Sequence, residues 1–363
     1  MTLHKSGAAR VGHRGSPARS RGGRDVTITG VRLPLDPDEI TAPWLSEALG
    51  VRVDSAVVES VVPGAATKVR VRLGDGGTVI VKAPLSGAEQ DDATLSFFAL
   101  EVAFYRDVAP LLDVGTPRCL FAETRAEEGQ ALVILEDLRD AHFHTAGDTL
   151  GAGEVEDVLD VLARLHASTW GHPVLESVQR YPGPMRKVLA GMLSGRYWAG
   201  CLSRPRAATI PAPLREPGAL RGAVEALWAY DAGAADCVVH GDAHVGNVYR
   251  DGAGRFGLID WQMSLRGHWC HDVAYLVTSA LDPVERGSTE RELLGAYLAR
   301  LAAHGGPRLD PDAAWSAYRR HMIHGLFWAT NADGMYPEAV NAEVVARFSR
   351  AILELDALEF LRL

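Results

Sequence analysis

The hydrophobic residues in the first third of the chain fall into short runs rich in valine and isoleucine. Runs of this kind are typical of strands, and they lie at residues 57–58, 61–62, 69–73, 79–82 and 131–135. Gly74-Asp75-Gly76-Gly77 separates the third run from the fourth and predicts a hairpin turn. From about Asp92 to Val108 the apolar residues recur every three or four positions, which predicts an amphipathic helix that ends before Pro110.

Helical periods dominate the chain after Leu135. They cover residues 155–166, 291–304, 313–330 and 344–355, whereas residues 181–220 are rich in proline and glycine and predict loops and short helices. A β-rich first third followed by a helical remainder predicts an α+β fold with two lobes. We expect a small β-rich N-lobe at residues 25–138, a larger helical C-lobe at residues 139–363, and a hinge that follows Leu135.

Charge is distributed unevenly along the chain. Residues 1–24 contain six basic residues and no acidic one, so the net charge of −9 becomes −15 over the rest of the chain. These first 24 residues are rich in glycine, serine and arginine and lack a hydrophobic period, which predicts a disordered basic tail. An acidic body argues against a nucleic-acid partner and is compatible with a cationic substrate.

Two further features of the composition narrow the class of protein. No apolar run reaches the length of about 18 residues that a transmembrane helix needs, so we expect no membrane partner. The four cysteines are scattered without a C-x-x-C pair, which argues against a zinc knuckle or a redox motif. Reduced thiols in the cytoplasm fit this pattern best.

The segment that carries chemistry is His240-Gly241-Asp242-Ala243-His244-Val245-Gly246-Asn247, which precedes two short apolar runs with a glycine-containing turn between them. If these runs pair as a hairpin, Asn247 before the first run lies beside Asp260 after the second. An amide oxygen and a carboxylate are hard ligands that suit Mg²⁺. Asp242 shares this mouth of the hairpin and can accept a hydroxyl proton, as phosphoryl transfer requires.

This segment resembles the catalytic region of the aminoglycoside phosphotransferase and choline kinase-like family, whose members share a bilobal fold with protein kinases. Protein kinases carry H-R-D-x-x-x-x-N followed by D-F-G, whereas this chain has H-G-D-x-x-x-x-N followed by Asp-Trp-Gln. The resemblance extends from about Val51 to Leu281. It implies a protein-kinase-like fold, with Asp242 as the catalytic base and Asn247 and Asp260 as Mg²⁺ ligands.

The first lobe contains further matches to the nucleotide-binding elements of that family. Lys82 is implied to contact the α- and β-phosphates of ATP, and Glu101 in the predicted helix to hold its ammonium group. Gly64 and Thr67 lie in the segment that would cover the phosphates, which has one glycine where protein kinases have three. Backbone groups from Glu136 to Leu138 are implied to bind adenine.

Several residues admit two interpretations. His240 and His244 have the spacing of a zinc pair, but the glycine between them opposes a helix and no third ligand is evident, so we expect loop residues. Asp272 matches a family aspartate and is expected to hold the catalytic loop rather than to bind substrate. Three residues of a late helical segment either line the acceptor pocket or pack in the core: His321, His324 and Trp328.

The sequence therefore predicts an ATP- and Mg²⁺-dependent kinase that phosphorylates a hydroxyl group of a small molecule, as a monomer or homodimer. One alternative is an aminoglycoside-type antibiotic kinase, although the aromatic content permits a less polar alcohol, as in ecdysteroid kinase-like proteins. Another alternative is a nucleotide-binding pseudokinase with a regulatory role. A protein kinase is disfavoured because no Ala-Pro-Glu follows Asp260, and a P-loop kinase because the chain lacks G-x-x-x-x-G-K-[ST].

Overall fold

The computed structural model describes residues 30–63, 66–85, 92–183, 185–234 and 236–361. The first lobe is built on a five-stranded antiparallel sheet in the order β1-β2-β3-β5-β4. Its strands are β1 (Ala56–Val62), β2 (Thr67–Leu73), β3 (Thr78–Ala83), β4 (Cys119–Arg125) and β5 (Gln130–Glu136). The predicted hairpin turn joins β2 to β3, whereas β4 contains no valine or isoleucine and is not predicted by the pattern.

Side chains along β2 and β3 alternate between the two faces of the sheet, so that one face is apolar and the other carries most of the polar side chains. The buried valines of the apolar face are Val69, Val71, Val79 and Val81. A short helix, α1 (Ala42–Leu49), contributes Leu45 to the same core. The opposite face of β3, which bears Lys82, lines a cleft.

The helix after β3 carries Glu101. It consists of α2 (Asp92–Ala103), a π-helical turn at Phe104–Val108 and a 3-10 turn that contains Pro110. The predicted helix is confirmed over its full length, with a wider last turn than the pattern indicates. Glu101 is buried on this helix.

The second lobe is mostly helical. Its helices are α3 (Ala152–Thr169), α4 (Met185–Met192), α5 (Gly195–Leu202), α6 (Pro217–Ala232), α7 (Cys270–Ala280), α8 (Pro283–Ala303), α9 (Pro311–His321), α10 (Glu338–Glu354) and α11 (Ala357–Leu361). Three of the predicted helices correspond to α3, α8 and α10. The segment expected to be one helix at 313–330 is instead α9 followed by a 3-10 helix, Met322–Thr330.

Helix α7 lies in the core of this lobe. All of its residues are buried, and a helix that is buried on every side has no amphipathic period by which to recognise it. That is the physical reason why the hydrophobic pattern does not predict α7.

Two small sheets carry the catalytic segment. In one, β7 (Cys237–Val239) pairs with β10 (Leu265–Gly267); in the other, β8 (Val248–Arg250) pairs with β6 (His142–Phe143) and β9 (Phe256–Leu258). The β8–β9 pair is the hairpin that the sequence predicts. An antiparallel sheet followed by a mostly helical region confirms the α+β fold class. Among the described helices, none combines the length and the apolarity needed to cross a membrane.

Candidate active site

Asp272 anchors the candidate catalytic loop, His240–Asn247, to α7. Its buried carboxylate accepts hydrogen bonds from the backbone N–H groups of His240, at 2.6 Å, and Gly241, at 2.9 Å. The Nε2 atom of His166 donates another hydrogen bond to this carboxylate at 3.1 Å. Burial alone would raise the pKa of Asp272, but the hydrogen bond from His166 and the nearby histidines lower it. The expectation that Asp272 holds the loop is confirmed.

The shape of the loop depends on Gly241. Its φ of +81° is left-handed, and a Cβ atom there would clash with the carbonyl oxygen of Met263. His240 then ties the loop to the strand that precedes Asp260, because its Nε2 atom donates to the carbonyl oxygen of Ile259 at 2.9 Å. The loop is thus fixed on both sides.

Asp242 and Asn247 are bonded to each other within the loop. The Nδ2 atom of Asn247 donates to the Asp242 backbone oxygen at 2.8 Å and to its Oδ2 atom at 3.1 Å. Burial and the charge of Asp260 raise the pKa of Asp242 to about 8, and a divalent cation between these carboxylates would oppose that rise. His244 is a hydrogen-bonded loop residue, as expected: its Nδ1 atom accepts from the backbone N–H of Gly246 at 3.0 Å.

The β8–β9 hairpin places Asp260 at the same mouth. The backbone N–H of Ile259 donates to the carbonyl oxygen of Asn247 at 3.0 Å, so the residues at the two ends of the hairpin are neighbours. Asp260 follows at once and adopts a left-handed conformation with φ of +67° and ψ of +67°. A non-glycine residue in this region is strained, and such strain is concentrated at functional sites.

Lys82 joins the two lobes at the site. Its Nζ atom lies 2.7 Å from Oε2 of Glu101 and 2.8 Å from Oδ1 of Asp260. Burial alone would lower the pKa of Lys82, but the charges of Asp260 and Glu101 raise it, so the side chain is an ammonium ion. Burial alone would raise the pKa of Asp260, yet Lys82 and Lys68 lower it to about 2. The expected pairing of Lys82 with Glu101 is confirmed.

Trp261 holds the Asp260 segment against the end of the α2 helix. Its ring stacks on Phe104 with 3.8 Å between centroids and 6° between planes. Its Nε1 atom donates to Oγ1 of Thr116 at 2.9 Å. The residue after the candidate metal ligand therefore packs directly against the helical segment that carries Glu101.

A cleft of about 410 Å³ lies between the sheet and the catalytic segment. Lys82, Glu101 and Asp260 line this cleft together with Glu136 and Leu138. The backbone N–H of Leu138 has no hydrogen-bond partner among the described residues, so it is free to donate to a base.

The side chain of Asp137 fixes the predicted hinge segment, a role that the sequence does not predict. The buried carboxylate of Asp137 lies 2.9 Å from Nε of Arg70 and accepts a hydrogen bond from Oγ1 of Thr78 at 2.8 Å. These contacts join the hinge to β2 and β3.

The two residues predicted to cover the phosphates have different outcomes. Gly64 lies outside the described residues. Thr67 is buried and does not line the cleft, because it pairs with Ala83 on the other face of the sheet. Its neighbour Lys68 pairs with Lys82 and does line the cleft. The alternation of valines along β2 is the signal that could have identified Lys68.

The late histidines and Trp328 separate into core and site. His321 is buried and lies 3.0 Å from Asp231, and His324 is buried beside Tyr181, so both histidines pack in the core. Trp328 instead donates from Nε1 to the Tyr275 hydroxyl at 2.6 Å, and its ring centroid lies 5.1 Å from that of His244 in the candidate catalytic loop.

Comparison with solved structures finds chains of similar length and low identity. A choline kinase from Streptococcus pneumoniae is 16% identical with a TM-score of 0.49, and the match covers 86% of this chain and 96% of that one. A macrolide 2'-phosphotransferase from Brachybacterium faecium is 20% identical with a TM-score of 0.44, covering 83% and 96% of the two chains. A spectinomycin phosphotransferase in complex with ADP and spectinomycin is 11% identical with a TM-score of 0.48, covering 88% and 97%.

Sequence comparison identifies the family. None of the curated proteins matches this chain. The profile of the phosphotransferase enzyme family matches residues 60–321, a span that includes β2, β3, the catalytic loop and Asp260. This chain therefore belongs to the phosphotransferase enzyme family, as its catalytic segment predicts.

Proposed function

We propose that the protein transfers the γ-phosphoryl group of ATP to a hydroxyl group of a small molecule, with Asp242 as the base. The observation that carries this proposal is that Asp260 contacts Lys82 of the Lys82–Glu101 pair in a cleft, while the hairpin places Asn247, which is bonded to Asp242, beside Asp260. Family membership supplies the reaction class.

The chain's own residues supply the parts that phosphoryl transfer needs. Asp242 lies where its carboxylate can orient an acceptor hydroxyl and take its proton. The hydroxyl oxygen forms a bond to the γ-phosphorus while the bond from that phosphorus to the β-phosphate oxygen breaks, and ADP leaves. Lys82, held by Glu101, can move its ammonium group from Asp260 to the phosphate oxygens. The free N–H of Leu138 can donate to the purine ring.

The donor set at the hairpin mouth fits Mg²⁺. The amide nitrogen of Asn247 is committed to Asp242, so its Oδ1 atom is the one available to a cation. Asp260 uses Oδ1 for Lys82 and retains a second carboxylate oxygen. Hard oxygen donors of this kind suit Mg²⁺, which when bound neutralises negative charge on the phosphates.

The alternatives predict different behaviour. A pseudokinase would bind ATP without phosphorylating any acceptor. A protein kinase needs an ordered substrate-binding segment after the metal aspartate, whereas here only nine residues separate Asp260 from the start of α7 at Cys270. The retained Lys82, Asp242, Asn247 and Asp260 favour turnover on a small molecule.

The test is ADP release from ATP with a panel of hydroxyl compounds: a steroid alcohol, a macrolide, an amino sugar and choline. Asp242→Asn keeps the size of the side chain and removes the base, so kcat should fall by about 10²- to 10⁴-fold with the KM for ATP nearly unchanged. Asp251→Asn, in the surface turn of the β8–β9 hairpin, is the matched control and should retain activity. ATP binding without turnover on any acceptor would refute the proposal and favour the pseudokinase.

A further inference from the structure

Three aromatic side chains lie next to Asp242 and outside the nucleotide cleft. We call Tyr275, Trp328 and Tyr336 the aromatic wall. The ring of Trp328 lies 4.8 Å from that of Tyr336, and its N–H donates to the Tyr275 hydroxyl at 2.6 Å. None of the three lines the nucleotide cleft. The wall is therefore separate from the nucleotide cleft and adjoins the candidate catalytic loop through Trp328.

Trp328 is also in contact with the catalytic loop. Its ring centroid is 5.1 Å from that of His244, and Nε2 of His244 is 3.6 Å from Oδ2 of Asp242. Burial raises the pKa of Tyr336, and the charges of Asp242 and Asp260 add to this effect. A continuous set of ring contacts thus leads from the candidate base to Tyr336.

The segment that carries Tyr336 is clamped by two arginines. The carbonyl oxygen of Asn331 accepts hydrogen bonds from Arg204 at 3.2 Å and from Arg206 at 2.9 Å. Arg206 is buried and forms a second contact, from Nε to the carboxylate of Glu338 at 2.9 Å. Because both ends of this segment are fixed to the helical lobe, the ring of Tyr336 has a defined position.

The same arginines neutralise the carboxylates of the segment. Asp333 lies 3.1 Å from Arg204, and Glu338 is paired with Arg206. Because these carboxylates already have arginine partners, a polycationic acceptor gains less from them, whereas an apolar ring can pack on Tyr336 without disturbing either ion pair.

We propose that the aromatic wall binds the acceptor and selects a neutral alcohol carried on an apolar ring skeleton over a polycationic amino sugar. This inference rests on the proposed phosphoryl transfer. Tyr336 is the specificity-determining residue, because its ring is the member of the wall on the partly exposed segment between Asn331 and Glu338.

The experiment compares acceptors in the ADP-release assay at saturating ATP. Testosterone, a steroid alcohol, should exceed kanamycin, a polycationic amino sugar, in kcat/KM by at least about tenfold. Tyr336→Ala should raise the KM for testosterone by about tenfold or more and leave the KM for ATP unchanged. Tyr336→Phe keeps the ring and should raise this KM less. Met335→Ala, an exposed neighbour in the same segment, is the matched control.

Two results would overturn the inference. One is a preference for kanamycin or choline over testosterone; a preference for choline that Tyr336→Ala abolishes would instead identify the wall as a site for a quaternary ammonium group. The other is an equal effect of Met335→Ala and Tyr336→Ala. If no acceptor is phosphorylated, the proposed function fails, and calorimetric titration of testosterone into the protein with Mg²⁺ and ADP decides the inference separately. Binding that Tyr336→Ala weakens supports the wall, and absence of binding to the unaltered protein refutes it.

Discussion

Replacing Lys82 with methionine removes the ammonium group from a cluster that contains two carboxylates. Lys82 and Glu101 are 4% and 2% exposed, so water cannot replace the lost partner of Glu101. Breaking a buried ion pair from one side costs about 3–5 kcal/mol, because the remaining charge is left uncompensated. Protonation of Glu101 would remove the unpaired charge in this variant.

The cost of this protonation can be worked out from the pH. A glutamate titrates near pH 4.3 in the unfolded chain, so holding it neutral at pH 7 costs about 3.7 kcal/mol, at about 1.36 kcal/mol for each pH unit. A carboxyl with a raised pKa loses stability as the pH rises above its unfolded value. The destabilisation by Lys82→Met should therefore fall to about 1 kcal/mol at pH 5.

Urea unfolding followed by tryptophan fluorescence at pH 5, 6 and 7 measures this slope, with a chelator present so that no cation replaces the ammonium group. Lys68→Met is the matched control, because Lys68 is exposed and lies directly opposite Lys82 on β2. It should cost less than about 0.5 kcal/mol at every pH. A loss below about 1 kcal/mol for Lys82→Met at pH 7, or a loss that does not vary with pH, would refute the reasoning.

Two further predictions concern buried groups of the helical lobe. Asp272→Asn removes the charge that holds two backbone N–H groups of the catalytic loop. The free energy of unfolding should therefore fall by about 2–4 kcal/mol, and kcat should fall with it. Unchanged stability in urea would contradict the anchoring role. Burial alone would lower the pKa of His321, but the charge of Asp231 raises it well above the usual value. The stability that this ion pair adds is complete below about pH 6.5 and is lost as the pH rises through the folded pKa. His321→Gln should therefore flatten the decline in unfolding free energy between about pH 6 and 9. An identical decline in both proteins would exclude the ion pair.

The parts of the site that the sequence predicts best are close together along the chain. Asn247 and Ile259 are brought into contact by one short hairpin, and the spacing of apolar residues is sufficient to predict that hairpin. Lys82 and Glu101 are also joined by a single strand-to-helix connection. The family resemblance predicts that they pair, and the structure places Nζ of Lys82 2.9 Å from Oε1 of Glu101. Because both side chains are buried, each charge needs the other as a partner.

The face of a strand that a side chain occupies depends on the register of the whole sheet. The family resemblance predicts Thr67 at the phosphates, but strand alternation places Thr67 beside the buried valines and places Lys68 in the cleft. Helix α7 left no signal because all of its residues are buried. The side-chain contacts of Asp137 are not predictable from a local pattern, because its partners, Arg70 and Thr78, come from strands more than fifty residues earlier.

The acceptor side is the part that sequence spacing cannot predict, and the reason lies in its construction. Tyr275 belongs to a buried helix, Trp328 to a 3-10 helix and Tyr336 to an irregular segment, and Arg204 fixes that segment from another part of the chain. Each contact depends on tertiary packing rather than on a period or a motif. A family motif can therefore specify where the phosphoryl group is transferred, whereas the choice of acceptor depends on long-range contacts. For this reason, substitutions at Tyr336 should change the KM for the acceptor without changing the KM for ATP.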